Sequence, residues 1–347
     1  MPARPGFRIG GTVVPPGARA TIDLPVSTLS DHTPVTMSVH VVHGRRPGPV
    51  IFVSAAVHGD EVIGVEIVRR LLRSPPVDRL SGTLLAVPIV NAFGFLNHSR
   101  YLPDRRDLNR SFPGSPSGSL AARLAHHFMT EIVARCEVGI DLHSAAIHRT
   151  NLPQVRISPG QKRLLPLARA FGAPVVMFSR IREGSLRAAA AEAGVDVLLY
   201  EAGEGLRFDE LAARAGVSGI LRVMRSLGMI GGRGVAKAKA DSLRSHRSTW
   251  VRAPRGGLLR AFRAAGDMVS EGDVLGVVAG PFGQTEEEVI ARVEGLIVGR
   301  ANLPVVNEGD ALFHVAEVDD HAVAEETMDA LTGQLDGDPM FDEDEII

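Results

Sequence analysis

From about residue 48 to residue 230 the chain alternates short, continuous apolar runs with amphipathic stretches, and few folds accommodate that pattern. The runs are VIFVSAAV, TLLAVPIV, VGIDLH, PVVMFS and DVLLYEA. Between them lie GVEIVRRLLRS, LAARLAHHFMTEIVARC, QKRLLPLARAFG and LRAAAAEAG, and FDELAARAGVSGILRVMRSLG closes the region. Apolar runs without polar alternation are strands covered on both faces, and interleaved amphipathic helices supply the cover. The expected fold class is therefore α/β: a mixed, mostly parallel sheet with helices on its faces.

The flanks read differently. Residues 1–45 carry alternating stretches such as ATIDLPV and VTMSVHVV, the pattern of half-exposed strands, so this β segment is expected to pack on the 46–230 domain. Residues 231–248, GGRGVAKAKADSLRSHRS, are glycine-rich, basic and weakly patterned, which reads as a linker. Short glycine-punctuated strands then predict a small all-β domain over 249–318, and 319–347 reads as an acidic, solvated tail ending in FDEDEII.

Charge and cysteine content narrow the function classes. Lys and Arg number 38 against 40 Asp and Glu, a net charge of −2, which leaves no electrostatic footprint for nucleic acid or an anionic membrane. No run approaches the roughly 20 apolar residues of a membrane span, and MPARPGFRIGG has no signal-peptide core. The single cysteine, Cys136, cannot form an intrachain disulfide. A cytoplasmic protein is the resulting expectation.

Three chemically active side chains fall at the ends of predicted strands. His58 follows VIFVSAAV, His143 ends VGIDLH, and Glu201 follows DVLLY. Ligands of open α/β sheets sit outside the carboxyl ends of the strands, so residues far apart in sequence converge there. Glu61 joins them through the AVHGDE turn at 56–61. Two histidines and one carboxylate with an open fourth position are the ligand set of a catalytic zinc, and a further carboxylate, Glu201, is then available to move protons. Taken singly, H-x-x-E is more often a polar turn than a ligand pair, and His143 reads also as a hydrogen-bonded strand end. Asp141 shares a strand face with His143 and is placed to hydrogen-bond a ligating imidazole, with Asp60 as a second candidate. The stretch SRYLPDRRDLNRSFPG, 99–114, carries four arginines. It suits carboxylate or oxyanion binding, or else is a solvated basic loop.

HGDE, DLNRSFPG, DLHSA and YEAGEG, in this order, resemble the succinylglutamate desuccinylase/aspartoacylase family, which is related in fold to the zinc carboxypeptidases. The resemblance covers roughly residues 45–230 and marks 46–230 as a zinc hydrolase catalytic domain. It implies one zinc per chain held by His58, Glu61 and His143, Glu201 as general acid/base, Asn109 and Arg110 on the substrate α-carboxylate, and Arg100 on the oxyanion. Here the chain departs from the pattern, because Arg105 and Arg106 lie between SRY and DLNR and compete with Arg100 for that role. Related enzymes also contact substrate with a tyrosine from late in the chain, whereas the only tyrosines here are Tyr101 and Tyr200. His148, Arg149 and Arg156, close after His143, are alternative readers of the substrate or else ordinary charges on a surface loop.

The segment after 249 resembles biotinyl/lipoyl-like barrel-sandwich domains, but 249–330 contains no lysine, which excludes a prosthetic-group carrier. It is expected to cover the mouth of the site and limit substrate size. The implied activity is hydrolysis of the amide bond of an N-acyl amino acid or similar small carboxylated amide. A carboxypeptidase acting on short peptides is the alternative, and a non-catalytic metal- or ligand-binding protein the more distant one. The expected partner is that small molecule, with no nucleic acid and no membrane, and a homo-oligomer is compatible with the resemblance.

Overall fold

In the computed structural model, which describes residues 4–161, 163–238, 240–318 and 327–328, four of the apolar runs form the centre of one large sheet. Strands Ser81–Val87, Arg46–Ala55, Val138–His143 and Asp196–Gly203 lie side by side and parallel. Every residue of Val138–His143 is buried, as the unbroken apolar pattern requires. Helices Ile63–Arg73, Leu164–Phe171 and Glu210–Ser226 cover one face. Helices Leu120–Glu131 and Leu186–Glu192 cover the other, together with side chains of the N-terminal strands. No helix among the described residues is long and apolar enough to cross a membrane.

The sheet is mixed because antiparallel strands extend both edges of the parallel block. Pro34–His43 pairs antiparallel with Ser81–Val87, and Ala18–Thr28 pairs with it in turn. On the other side, Arg149–Ile157 runs antiparallel to Asp196–Gly203. This strand corrects the surface-loop alternative for Arg149 and Arg156, while His148 stays in an exposed turn before it. Its polar residues and Pro153 hide a strand pattern because one face lines a cleft instead of a core. Gly295–Ala301 pairs with it, followed by Ala311–Ala316 and Ser248–Arg252. A separate four-stranded sheet holds Glu286–Ile290, Val274–Ala279, Gly257–Ala261 and Val305–Val306. The late strands are thus shared between the large sheet and this smaller one.

The 231–248 stretch is not wholly linker. Leu243–Ser245 pairs in parallel with Val175–Phe178, and both Leu243 and Ser245 are buried. Three residues are too few to show a period in the sequence. The acidic tail lies outside the described residues, apart from 327–328.

The glycines of AGVSGI have a packing cause. A Cβ at Gly219 would meet the Phe171 ring at 2.2 Å, and one at Gly216 would meet Ile67 at 2.6 Å. Gly219→Ala should therefore destabilise the protein by about 1–3 kcal/mol through overpacking. That outweighs the gain of up to about 1 kcal/mol in helix propensity. Urea denaturation checks the sign, and a raised midpoint would contradict this packing.

Candidate active site

The HGDE turn is built by backbone crowding. After Arg46–Ala55 ends, Ala56 takes a left-handed φ of 49°, which swings the chain over the sheet edge. A Cβ on Gly59 would lie 1.9 Å from the Gly94 carbonyl carbon, so only glycine fits directly after His58. The Glu61 N–H donates to the His58 carbonyl at 3.2 Å, and helix Ile63–Arg73 starts just beyond.

This turn and the end of Val138–His143 bring three sequence-predicted residues together. His58 Nδ1 lies 2.7 Å from Glu61 Oε1, and His143 Nδ1 lies 2.6 Å from Glu61 Oε2. The ligand atoms of the three groups fall within 4.8 Å of one another, and all three side chains are buried. The outer nitrogen of each ring is held by a carboxylate. His143 Nε2 is 2.8 Å from Asp141 Oδ2, and His58 Nε2 is 3.2 Å from Asp107 Oδ1. Ser54 Oγ donates to Asp141 Oδ1 at 2.7 Å and fixes that carboxylate.

Asp141 occupies the position expected for it; Asp60 does not. Asp60 is buried, but it hydrogen-bonds neither imidazole, and its Oδ1 has no partner. Asp107 supports His58 instead. It opens the DLNR motif, and that motif was the available signal.

Charges in the cluster depend on one another. Burial pushes the Glu61 carboxyl up, but His58 and His143 outweigh it and hold the group below its ordinary range. Burial lowers both imidazoles, and the carboxylates beside them more than reverse this: Glu61 and Asp107 for His58, Asp141 and Glu61 for His143. The buried carboxylate thus demands positive charge on the Nδ1 side of both rings. A His₂Glu donor set with both outer nitrogens already anchored fits a divalent metal such as zinc.

Glu201 sits opposite His143 in the parallel register, in the same cleft but outside the three-residue cluster. Its Oε2 accepts from Asn151 Nδ2 at 2.9 Å, and Arg156 Nη1 lies 3.8 Å from Oε1. Arg100 reaches the cluster directly: Nη1 is 3.3 Å from Glu61 Oε1 and Nη2 is 3.0 Å from Asp107 Oδ2. Arg105 and Arg106 do not line the cleft; both are exposed, and Arg106 pairs with Asp104. Asn109 and Arg110 line it, and Asn109 Oδ1 accepts the Leu186 N–H at 2.9 Å, which ties the DLNR loop to a helix start. Arg149 and Arg156 line it from their strand, whereas His148 is exposed and lies outside it.

The cleft has a volume of about 640 Å³. Neither tyrosine faces it: Tyr200 is buried and donates to the Ala212 carbonyl, and Tyr101 is exposed. Trp250 and His314 from the late strands line it instead, stacked 4.5 Å apart and nearly parallel. Sequence reasoning missed both. The one tryptophan of the chain was the only signal for either.

Burial, and then Arg156, pushes His314 from the ordinary 6.5 down to about 3, so the ring stays neutral in the fold. The unfolded chain takes up that proton near pH 6.5. This contribution is therefore complete above pH ~6.5 and is lost as the pH falls from there towards ~3. His314→Gln should flatten the fall in urea midpoint between about pH 6.5 and 4, and an unchanged slope would contradict the assignment.

Residues 47–227 match the model of the succinylglutamate desuccinylase/aspartoacylase catalytic domain. The chain is 28% identical over 309 residues to N-alpha-acetyl-L-2,4-diaminobutyric acid deacetylase of Halomonas elongata, covering 86% of this chain and 90% of that protein. The crystal structure of a succinylglutamate desuccinylase/aspartoacylase from Rhodobacter sphaeroides superimposes with a TM-score of 0.77 at 26% identity, covering 87% of this chain and 96% of that one. The product-bound ectoine utilization protein EutE of Ruegeria pomeroyi shares the fold, with a TM-score of 0.79 at 24% identity over 91% of this chain and 98% of its own. Motif order, sequence and fold agree: the chain belongs to the succinylglutamate desuccinylase/aspartoacylase family.

Proposed function

We propose that the protein is a zinc-dependent deacylase that hydrolyses the amide bond of an N-acyl amino acid or a similar small carboxylated amide. One observation carries this reading. A carboxylate, Glu201, shares the cleft with a buried His₂Glu cluster without belonging to it, and a pure metal-binding site would need no such proton carrier. The deacetylase activity in the name of the Halomonas relative supports the same reaction class.

Zinc, when held by His58, Glu61 and His143, supplies an acidified water and polarises the acyl carbonyl. Glu201 accepts the proton of the attacking water as the new C–O bond forms. The Arg100 guanidinium, fixed by Glu61 and Asp107, faces the oxyanion that develops. Glu201 then delivers its proton to the amine nitrogen as the C–N bond breaks, leaving a carboxylic acid and a free amino acid. Asn109 and Arg110 orient the substrate through its α-carboxylate, and Arg149 and Arg156 read its other end.

Amine release from a panel of N-acyl amino acids by zinc-loaded protein tests the reading; no release from any member, with zinc bound, would overturn it. Arg100→Gln should lower kcat by about 10²–10³-fold if the guanidinium serves the oxyanion. A change confined to KM would instead make Arg100 a binding group.

A further inference from the structure

A second cavity lies at the opposite end of the central strands. It measures about 580 Å³ and is walled by residues 17–19, 42–46 and 78–80. These are the start of Ala18–Thr28, the turn between Pro34–His43 and Arg46–Ala55, and the approach to Ser81–Val87. Strand Arg46–Ala55 begins in this cavity and ends three residues before His58. At about 3.3 Å per residue its ten residues span roughly 33 Å. A molecule held here is therefore out of reach of the His58–Glu61–His143 cluster.

The lining holds four arginines, Arg19, Arg45, Arg46 and Arg79, and one carboxylate, Asp78. Asp78 is already engaged: Arg19 pairs with it and also donates to the Leu72 carbonyl at 3.0 Å. The side chains of Arg45, Arg46 and Arg79 have neither a hydrogen bond nor an ion pair among the described residues. By contrast, Arg69, Arg70 and Arg214 on the helices each meet a glutamate within about one turn.

The backbone that carries these arginines is fixed from behind. Arg4 Nη1 donates to the Gly44 and Gly82 carbonyls at 2.6 and 2.8 Å, and its Nη2 donates to Thr83 Oγ1 at 3.1 Å. The buried His43 ring is held at both nitrogens, by Thr83 Oγ1 at 2.9 Å and the Pro5 carbonyl at 3.0 Å. Gly17 takes a left-handed φ of 83°, and a Cβ on it would lie 2.6 Å from Arg45 Nε. The bare glycine backbone thus lets the Arg45 side chain lie across the rim.

Three unpaired guanidiniums around one concavity repel one another, and a multiply charged anion relieves all of that repulsion at once. The guanidinium fork matches phosphoryl oxygens, and each phosphoryl group brings up to two negative charges and three acceptor oxygens. The volume is that of a small-molecule site. We propose that this cavity binds a small molecule bearing two phosphoryl groups, received by Arg45, Arg46 and Arg79, with Arg19 anchored at its edge by Asp78. The site is separate from the cleft and stands or falls independently of the deacylase reading.

Calorimetric titration of zinc-loaded protein with fructose 1,6-bisphosphate, at constant ionic strength, makes the test. Binding should weaken by about tenfold or more in Arg45→Gln and in Arg79→Gln. It should keep its wild-type affinity in Arg156→Gln, which alters the cleft alone. Arg45 and Arg79 are exposed, so the fold tolerates their loss, and matching urea midpoints check that. Amide hydrogen exchange should slow on binding in residues 17–19, 42–46 and 78–80 and stay unchanged in 143–156. No binding by the wild type overturns the site. So does binding that Arg156→Gln abolishes and Arg45→Gln leaves intact, which would put the anion in the cleft. Citrate binding as tightly as the bisphosphate overturns the assignment to phosphoryl groups.

Discussion

Glu201→Gln should lower kcat by about 10³-fold while zinc content stays at the wild-type level. The substitution keeps the shape of the side chain and an oxygen that accepts from Asn151, but it removes the carboxylate proposed to take and return the proton. Because Glu201 stands outside the His58–Glu61–His143 cluster, metal binding has no reason to change. Amine release and elemental analysis on the same samples separate the two effects. Near-normal activity in the variant would sink the proton-transfer assignment, and loss of zinc would mean that Glu201 is a ligand.

His143→Ala should abolish both zinc binding and activity. It removes one of two imidazoles from Glu61 and leaves Asp141 without its ring partner. Glu61 keeps His58 and Arg100 and Asp141 keeps Ser54, but each loses a buried imidazole, and the metal-free variant should lose about 3–5 kcal/mol of stability. Elemental analysis of wild type and variant, with denaturant titration of both, checks this. About one zinc per chain in the wild type, lost together with activity in the variant, is the expected result. No zinc in the wild type after reconstitution would leave the four motifs without their chemistry.

The parts of the site that were legible in sequence share a physical cause. A strand buried on both faces is apolar until it ends, so the first polar residues after VIFVSAA, VGIDL and DVLLY are conspicuous. Those strands are parallel neighbours, and their ends meet at one edge of the sheet. The sequence alone therefore places His58, Glu61, His143 and Glu201 together. The choice among Arg100, Arg105 and Arg106 could not be made that way. All three sit in one polar loop, and only the approach of Glu61 and Asp107 to Arg100 separates them.

The side of the cleft built by Arg149–Ile157 and the late strands was the least legible. Arg149–Ile157 carries charged residues and a proline because one face borders a cleft, so it has no strand period to read. Trp250 and His314 enter through Ser248–Arg252 and Ala311–Ala316, which reach the cleft only because Gly295–Ala301 pairs with Arg149–Ile157. The α/β class, the covered parallel core and the four side chains at or just beyond its strand ends were readable from the residues alone, because burial and local periodicity are written residue by residue. Which arginine meets the His58–Glu61–His143 cluster, that Asp107 and not Asp60 supports His58, and that late strands complete the cleft emerge only from the packed fold. Those facts depend on pairing between segments far apart in the chain, and no local pattern encodes such pairing.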